Sequence, residues 1–243
     1  MILAIDIGNT TTSFGVFERG KLRAKFSMRT PQLKALVKTH KRYVRKASQI
    51  IICSVVPRMT AVLIECLKSL GAMPIRVVGQ DVQVPLVNRY TYPEQVGQDR
   101  LVGAYAAWRT YKRNCIVADF GTAITIDVVT KQGEYLGGLI APGLDISLEA
   151  LATRTALLPK IRLKEPPELL GRDTANSMRA GLIYGCTALC DGLVAQLKAA
   201  YAPGAVVVAT GGASRLIAKH ARSIAHLRPH LVLEGLATLA SSS

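Results

Sequence analysis

The first thirty residues carry the hydrophobic pattern of a β-sheet. Residues 2–5 and 14–17 are two apolar runs, which predict two buried strands. Between Leu22 and Met28 every second residue is apolar and the residues between them are polar, as in a half-buried third strand. Together the three segments predict a β-meander.

Helical patterns follow this meander. Thr30 and Pro31 are a typical cap and first-turn pair, and they predict one helix that continues to about Lys46. The segment QIIICSVVP predicts a further buried strand, and MTAVLIECLKSLG predicts a helix that ends at a glycine. This succession of strands and helices predicts an α/β fold with mixed sheets flanked by helices.

The chain also contains an internal repeat. Residues 4–20 align without gaps on residues 117–133. The identical positions include the pairs Asp6 and Asp119, Gly8 and Gly121, Thr12 and Thr125, and Gly20 and Gly133. Each copy consists of an apolar strand, Asp-x-Gly, a turn with hydroxyl side chains, a second strand and a glycine turn. We therefore predict two similar α/β lobes with a central cleft, comprising residues 1–114 and 115–243.

The chemistry of the repeated turn suits a phosphate. Small residues let backbone N–H groups approach an anion, hydroxyl groups add donors, and an aspartate can hold a hydrated Mg²⁺. One Asp-x-Gly is weak evidence because both residues are common in turns. Two copies in register favour a pair of hairpins that clamp the phosphates of a nucleotide.

A third segment, AVVVATGGASRLIA, predicts a buried strand, a Gly-Gly turn and a helix that begins near Ser214. Glycines at such a turn would let an adenine and its ribose lie on the backbone, and a helix N-terminus favours negative charge. Alone, the pattern is more typical of an ordinary strand-to-helix turn than of a functional site. Beside the paired hairpins it favours a nucleotide site.

Hydropathy argues against a membrane protein. The chain has 243 residues, of which 49% are hydrophobic, but charged residues recur and we find no uninterrupted apolar run of about 20 residues. The first residues, MILAIDIGN, lack a basic segment and contain an early aspartate, so we predict no signal peptide. These features predict a soluble, cytoplasmic protein.

Five cysteines lie in apolar surroundings, which predicts reduced core thiols and no disulfide framework. Cys186 and Cys190 are one helical turn apart, but the four histidines lie far from them in sequence. This spacing disfavours a zinc site.

The formal net charge is +15, and eleven Lys or Arg residues without an acidic residue lie between Arg19 and Lys46. Such a segment suits a solvated surface or a field that attracts anionic substrates such as nucleotides. Nucleic-acid binding is the less favoured reading, because the segment lacks interleaved aromatic residues.

Paired Asp-x-Gly hairpins with a late Gly-Gly turn resemble the actin-like ATPase and sugar-kinase superfamily, whose lobes are ribonuclease H-like. Further motifs narrow the resemblance to type III pantothenate kinases. In chain order they are DIGNTTT, YTYPEQVGQDRLVGAYAA, DFGTAITIDVV, GEYLGGLIAPGL, TALLP and GRDTANSMRAGLIYG. The resemblance implies ATP-dependent phosphorylation of pantothenate to 4'-phosphopantothenate, the first step of coenzyme A biosynthesis.

The resemblance implies that Asp99 is the catalytic base; by spacing alone, Asp99 would more simply be a helix cap. It also implies a pantothenate site. Its residues would be Tyr90, Gly97, Gln98, Asp99 and Arg100, with Thr174 reaching the substrate from the neighbouring subunit. Tyr92 is near enough to Tyr90 that the choice between these two tyrosines stays open.

For ATP, the resemblance implies the segment Asp6, Ile7, Gly8, Asn9, Thr10, Thr11, Thr12 and Ser13, together with Thr122. Asp6 would bind Mg²⁺, through water. Many members carry a lysine or another residue in place of Ser13, which leaves a direct phosphate contact from that side chain open. Asp119 matches the ligand of a monovalent cation, K⁺ or NH₄⁺.

The resemblance further implies a homodimer, and we expect the helix in residues 177–200 at or near the interface. A different class of function stays open, namely a non-catalytic regulator on the same fold that binds nucleotide or DNA through its basic segment. That alternative predicts loss of the catalytic set, whereas Asp6, Asp99, Arg100, Asp119 and Thr122 are all present.

Overall fold

A computed structural model describes residues 1–71 and 73–241, apart from the side chain of Leu36. The chain divides into two compact units. The first comprises Met1–Arg109 and the segment that begins at His230, and the second comprises Thr110–Pro229. The C-terminal segment therefore differs from the predicted division, which gave it to the second lobe. It packs with the first unit because its helix contacts the first sheet.

The first unit is a five-stranded sheet with helices on both faces. Its strands are β1 (Ile2–Ile7), β2 (Thr11–Glu18), β3 (Lys21–Arg29), β4 (Gln49–Ser54) and β5 (Ile75–Val77). They lie in the order β3-β2-β1-β4-β5; β1, β2 and β3 are antiparallel neighbours, while β4 is parallel to β1 and β5 to β4. The predicted meander is confirmed. A two-residue strand, β6 (Val87–Asn88), follows along the chain.

The helices of this unit cover the sheet in two layers. They are α1 (Leu33–Thr39), α2 (Lys41–Lys46), α3 (Pro57–Lys68), α4 (Gln98–Tyr111) and the C-terminal α8 (Leu231–Ser241), with 3₁₀ turns at Thr30–Gln32 and Pro93–Gln95. One face of the sheet packs against α1 to α3 through side chains such as Ile5 and Leu63. The other face packs against α4 and α8 through Cys53, Val102 and Leu236.

The second unit repeats the same strand order. Its strands are β7 (Cys115–Phe120), β8 (Ala123–Val129), β9 (Glu134–Pro142), β10 (Val206–Thr210) and β11 (His226–Leu227), and its helices are α5 (Leu144–Arg154), α6 (Thr174–Ala200) and α7 (Ser214–Ala218). The order β11-β10-β7-β8-β9 matches that of the first unit strand for strand. A buried core between the sheet and α6 includes Ile126 and Ile183.

Detailed features of the meander are also repeated. The register shifts between Val16 and Phe17 in one copy and between Val128 and Val129 in the other. In each unit, the residue after the third strand donates its amide to a carbonyl of the first turn: Thr30 to Thr10 at 2.9 Å, and Gly143 to Thr122 at 3.1 Å. The internal repeat found in the sequence is thus a repeat of structure.

The structure corrects the gapless alignment at one point. Asp6 faces Ser13 across the first hairpin, whereas Asp119 faces Thr125 across the second. Thr125 is therefore equivalent in position to Ser13 and not to Thr12, because the second hairpin has the shorter turn. The next turn is longer by one residue in the second copy, so Gly20 and Gly133 match again. Both glycines have positive φ, 73° and 83°.

The single helix predicted from Thr30 to Lys46 is wrong. The chain forms a 3₁₀ turn and then α1 and α2, which are separated at His40 (φ −107°, ψ 20°). The His40 ring stacks on Phe26 of β3 with centroids 3.8 Å apart, so the break accompanies a ring contact with the sheet. The predicted cap at Thr30 is also wrong, since no side chain caps this turn.

Helix α6 is the only helix in the described part of the chain that is long and apolar enough, by length and composition, to cross a membrane. The helix does not contain an uninterrupted apolar run of about 20 residues, because Arg179 and Asp191 interrupt it. One side of α6 packs into the core of the second unit through Ile183, Cys190 and Val194. This packing gives the apolar residues of α6 a place in a protein core.

Candidate active site

The first of the two Asp-x-Gly hairpins has a four-residue turn between β1 and β2. Ile7 pairs with Thr12, and within the turn the Gly8 amide donates to the Thr11 carbonyl at 3.0 Å. Asn9, Thr10 and Thr11 are exposed, whereas Thr12 is fully buried. The side chain of Thr12 therefore supports the turn from below, and the residues that precede it form the outer surface.

Thr30 holds this turn from the adjacent strand end. Its hydroxyl donates to the Gly8 carbonyl at 2.6 Å and lies 3.1 Å from the hydroxyl of Thr12. Its amide bonds to Thr10, as noted above. Three hydrogen bonds thus join one buried residue to both sides of the turn. Sequence reasoning missed this role because it gave Thr30 to a helix cap.

Asp6 lies at the end of β1, with Ser13 of β2 on one side and Cys53 of β4 on the other. It is partly buried, and Ser13 is bonded through its hydroxyl to Ser27 of β3 at 2.9 Å. Because residues that face each other across strands share a face of the sheet, Asp6, Ser13 and Ser27 lie on one face.

Asp99 is in the first turn of α4, not at its cap. The helix begins at Gln98, and the Gly97 carbonyl accepts from the amides of Arg100 and Leu101 at 3.1 and 3.3 Å. Asp99 Oδ1 itself accepts from the Arg100 amide at 2.8 Å. The cap interpretation considered from the sequence is therefore wrong, and the first turn of a helix favours the carboxylate's negative charge.

Asp6 and Asp99 both lie near the buried thiol of Cys53. Cys53 is fully buried. Burial raises the pKa of this thiol well above its usual value, and the nearby carboxylates of Asp6 and Asp99 raise the pKa further. A Cβ atom at Gly97 would lie 2.5 Å from Asp99 Oδ1 and 3.5 Å from Val55 Cγ1, so Asp99 lies close to the residue that follows β4. The structure thus brings the predicted base and the predicted Mg²⁺ ligand to the same end of the first sheet.

The remaining predicted pantothenate residues of the first unit lie around the start of α4. Tyr90 is half-buried and its amide donates to Asn88 Oδ1 at 3.0 Å, whereas Tyr92 is 58% exposed. Arg100 is partly buried. Tyr90 is therefore the less exposed of the two tyrosines.

A cavity of about 450 Å³ lies beside this block. Its lining consists of Gly79, Gln83, Val84, Leu86, Asn88, Pro93, Glu94, Gln98 and Leu101. The volume suits a small molecule. The lining includes Gln98 but neither Asp99 nor Arg100, so the cavity alone does not define a reaction site.

The second hairpin belongs to the second unit and has a three-residue turn that contains Gly121 and the exposed Thr122. Asp119 faces Thr125 on β8 and Thr210 on β10. The Gly-Gly turn lies against it: a side chain at Gly211, where φ is +89°, would come within 2.3 Å of Asp119 Oδ1 and 2.7 Å of the Phe120 carbonyl oxygen. The predicted Gly-Gly turn and the predicted cation ligand therefore meet, and only glycine fits between them.

Thr174 is the first residue of α6 and is exposed. The cap of this helix is Asp173, whose carboxylate accepts from the Asn176 amide at 2.8 Å. That hydrogen bond is the main cause of the lowered pKa of Asp173. Because Asp173 serves as the cap, the Thr174 hydroxyl is available to solvent or to a ligand.

Sequence reasoning did not single out Asp127. This aspartate of β8 is only 2% exposed. Its carboxylate accepts from the Tyr135 hydroxyl at 2.7 Å and from the Thr125 hydroxyl at 3.0 Å. Since Thr125 faces Asp119, this network connects a buried charge to the second hairpin. An acidic residue within an otherwise apolar strand was the available signal.

The carboxylates of Asp6 and Asp119 suit cations that a substrate also helps to bind. Within residues 1–71 and 73–241 no group of three or more His, Cys, Asp or Glu residues could form a metal cage. Mg²⁺ commonly uses one or two carboxylates and completes its shell with water and phosphate oxygens, and Asp6 fits that use. Asp119 Oδ1 and the Phe120 carbonyl oxygen both lie close to Gly211, and oxygen atoms are the ligands that K⁺ prefers.

Comparisons with known proteins agree with these observations. The family model described as type III pantothenate kinase matches residues 2–196. A type III pantothenate kinase of Anaeromyxobacter dehalogenans is 39% identical, with 98% of each chain covered. Two solved structures share the fold. One, from Campylobacter jejuni, is described as a Baf family transcriptional activator (TM-score 0.62, 20% identity, 99% and 98% covered). The other, from Sinorhizobium meliloti, is described as a 2-dehydro-3-deoxygalactonokinase (TM-score 0.59, 12% identity, 100% and 99% covered).

Proposed function

The chain belongs to the type III pantothenate kinase family, and we propose that Asp99 is the base with which it phosphorylates pantothenate. The reaction uses ATP and yields 4'-phosphopantothenate for coenzyme A biosynthesis. The observation that carries the proposal is the position of Asp6 and Asp99 near the same end of the first sheet: Asp6 pairs with Cys53 of β4, and Asp99 lies close to Val55, which follows β4. This position supports a role for Asp99 as proton acceptor and for Asp6 as the residue that serves Mg²⁺ and the phosphates.

In the proposed step, Asp99 accepts the proton of the primary hydroxyl of pantothenate. The hydroxyl oxygen attacks the γ-phosphorus, and the bond from that phosphorus to the β,γ-bridging oxygen breaks, so that ADP leaves. Catalysis of this kind depends on positioning and charge more than on covalent chemistry. The first turn of α4 provides the positioning for Asp99.

Arg100 is proposed to bind the pantothenate carboxylate, because a guanidinium forms forked hydrogen bonds with carboxylates. Gly97 and Gln98 would complete this block. The half-buried position of Tyr90 supports its choice over Tyr92. Thr174 would contact pantothenate bound to the neighbouring subunit, and its exposed hydroxyl is consistent with that role.

ATP is proposed to bind to the turn of the first hairpin through backbone amides and hydroxyl groups of residues 6–13, with Thr122 as a second contact. Asp6 would hold Mg²⁺ through water, and Asp119 would hold K⁺ or NH₄⁺. When bound, these cations offset the negative charge of the phosphates. The close approach of Asp119 to the Gly211 turn supports the monovalent site.

A homodimer is proposed from an apolar surface of the second unit. Leu139 and Ile140 of β9, Ile146 of α5 and Leu189 of α6 are exposed by 37%, 65%, 43% and 39%. A groove of about 230 Å³ between these elements is lined mainly by apolar residues. Exposed apolar patches of this kind mark interaction surfaces. The α6 contribution agrees with the interface expected from the sequence.

We propose a soluble cytoplasmic enzyme without a nucleic-acid partner. The Lys and Arg side chains of β3, α1 and α2 are exposed, as expected for a solvated surface. The structural similarity to the Campylobacter jejuni protein shows a shared fold only. No observation on the described residues favours the alternative of a DNA-binding regulator.

The cation assignment is tested by measuring ATP-dependent phosphorylation of pantothenate with Mg²⁺ in KCl and in NaCl. The wild type should be several-fold faster in KCl, and Asp119→Asn should lose that difference while it keeps its fold. A wild type with equal rates in the two salts would contradict the K⁺ site. Light scattering on the same sample should give twice the chain mass of 26.1 kDa.

A further inference from the structure

The end of β3 lies beside the first hairpin. Thr11 pairs with Arg29, and Ser13 pairs with Ser27. Cα atoms that face each other in antiparallel strands are about 4.5 to 5.5 Å apart. Because alternate residues of a strand share a face, Arg29 and Ser27 lie on the same face as Thr11, Ser13 and Asp6.

The hairpin itself offers little charge to a triphosphate. Residues 6–13, DIGNTTTS, contain one carboxylate and no Lys or Arg. Backbone amides and hydroxyls donate hydrogen bonds but do not neutralise the charge that phosphoryl transfer places on the phosphate oxygens. A cationic side chain from a neighbouring element would meet that need.

Arg29 is the cation nearest to the turn along β3. Its side chain is exposed, and no carboxylate of the described residues forms an ion pair with it. By contrast, Arg23 on the same strand lies 3.9 Å from Glu18, and Lys21 pairs with Glu18 across the strands. The guanidinium of Arg29 is therefore available for an anionic ligand.

The backbone of Arg29 is also fixed relative to the turn. The next residue, Thr30, is buried and forms the three hydrogen bonds to Gly8, Thr10 and Thr12 described above. The backbone next to such an anchor is already ordered before a ligand binds, so only the side chain of Arg29 loses conformational freedom on binding. This placement distinguishes Arg29 from the other basic residues of the segment.

We infer that Arg29 is a phosphate-binding residue for ATP, whose guanidinium contacts the phosphates held by the first hairpin. Lys25 lies four residues before Arg29 on the same face of β3 and adds a weaker attraction for the phosphates. The inference rests on the proposed function, since it concerns the same nucleotide site. It gives a specific role to one residue of a segment that otherwise resembles a solvated surface.

The test compares Arg29→Gln and Lys25→Gln with the control Lys21→Gln. The control removes the same charge from the same strand at a distance of roughly 26 Å, on the opposite face of the sheet because the register shifts between Val16 and Phe17. Arg29→Lys tests whether charge alone suffices. For each protein, the Kd of MgATP is measured by calorimetry without pantothenate, and the KM values of ATP and pantothenate are measured separately.

Arg29→Gln is expected to raise the Kd and KM of MgATP by about tenfold or more, since charge-assisted hydrogen bonds are lost. Lys25→Gln should raise them by about two- to threefold, and Lys21→Gln by less than about twofold, because screening weakens a distant exposed charge. Arg29→Lys should recover part of the loss. The KM of pantothenate should stay within about twofold in every variant, given that these residues contact only the nucleotide.

The inference is overturned if Arg29→Gln binds MgATP as tightly as the wild type, or if Lys21→Gln weakens binding equally. The calorimetric measurement also separates this inference from the proposed function. A wild type that binds MgATP through Arg29 but forms no phosphopantothenate would support the inference and contradict the pantothenate reaction.

Discussion

At the scale of single residues, the geometry of the proposed base depends on the absence of a neighbouring side chain. A Cβ atom at Gly97 would lie 2.5 Å from Asp99 Oδ1 and 3.5 Å from Val55 Cγ1. The first of these distances is too short for a nonbonded contact. Gly97 therefore permits the position in which the Asp99 carboxylate approaches Cys53.

Gly97→Ala is accordingly expected to displace the Asp99 carboxylate and lower kcat/KM by about tenfold to a hundredfold, as small misplacements of a reacting group do. The midpoint of thermal unfolding should change little. Gly192→Ala is a matched control, because a Cβ there has nothing within 4 Å. Equal activity in Gly97→Ala and the wild type would show that the carboxylate position is not critical.

At the scale of elements, the sequence predicted more of the sheets than of their helical cover. The meander, the following strand and the repeat follow from apolar runs and alternation, which depend on local pattern. The position of α8 does not follow from local pattern. Its apolar residues indicate that the helix is buried, but they do not indicate which sheet it packs against. The broken helix at His40 was equally hidden, because a ring contact with Phe26 depends on the fold.

The candidate site likewise combines features that the sequence predicts with features that only the fold reveals. The order of Asp6, Asp99 and Asp119 along the chain is readable from motifs, and the first two lie near the same end of the first sheet. The anchor at Thr30 and the network at Asp127 depend on long-range hydrogen bonds that no local pattern reports. The first turn is one residue shorter in the second hairpin, and the next turn is one residue longer. Because these two differences cancel, a gapless alignment does not reveal either of them.

The packing of α8 against the first sheet should contribute to the stability of the protein. Leu236 is fully buried against the face of the first sheet that includes Cys53. Leu236→Ala should lower the free energy of unfolding by about 2–5 kcal/mol, since it leaves a cavity. Urea unfolding measures this change. Leu170→Ala, at a site 72% exposed, should change stability by less than about 0.5 kcal/mol, and similar losses in both variants would contradict the packing.

At the scale of the whole molecule, both units contain buried thiols. Cys53 belongs to the first unit, and Cys115, Cys186 and Cys190 belong to the second. Burial raises the pKa of Cys115 and Cys190 to about 11 and that of Cys186 to about 12. In an unfolded chain the thiol pKa is about 8.5.

Because these pKa values are higher in the folded state, the thiols favour folding fully below about pH 8.5. That contribution is lost as the pH rises toward 11 or 12. We therefore expect the urea midpoint to fall between pH 8 and pH 10.5, and to fall less steeply in Cys190→Ala than in the wild type. Parallel pH profiles for the two proteins would contradict this account of the thiols.

The assigned reaction and the assigned base are tested together by the rate of ATP-dependent 4'-phosphopantothenate formation in the wild type and in Asp99→Asn. With Mg²⁺ and K⁺ present, the wild type should form product. A folded Asp99→Asn, verified by circular dichroism, should be slower by on the order of 10²- to 10⁴-fold because it lacks a general base. A wild type without product would contradict the assigned reaction, and an Asp99→Asn variant as fast as the wild type would contradict the assigned base.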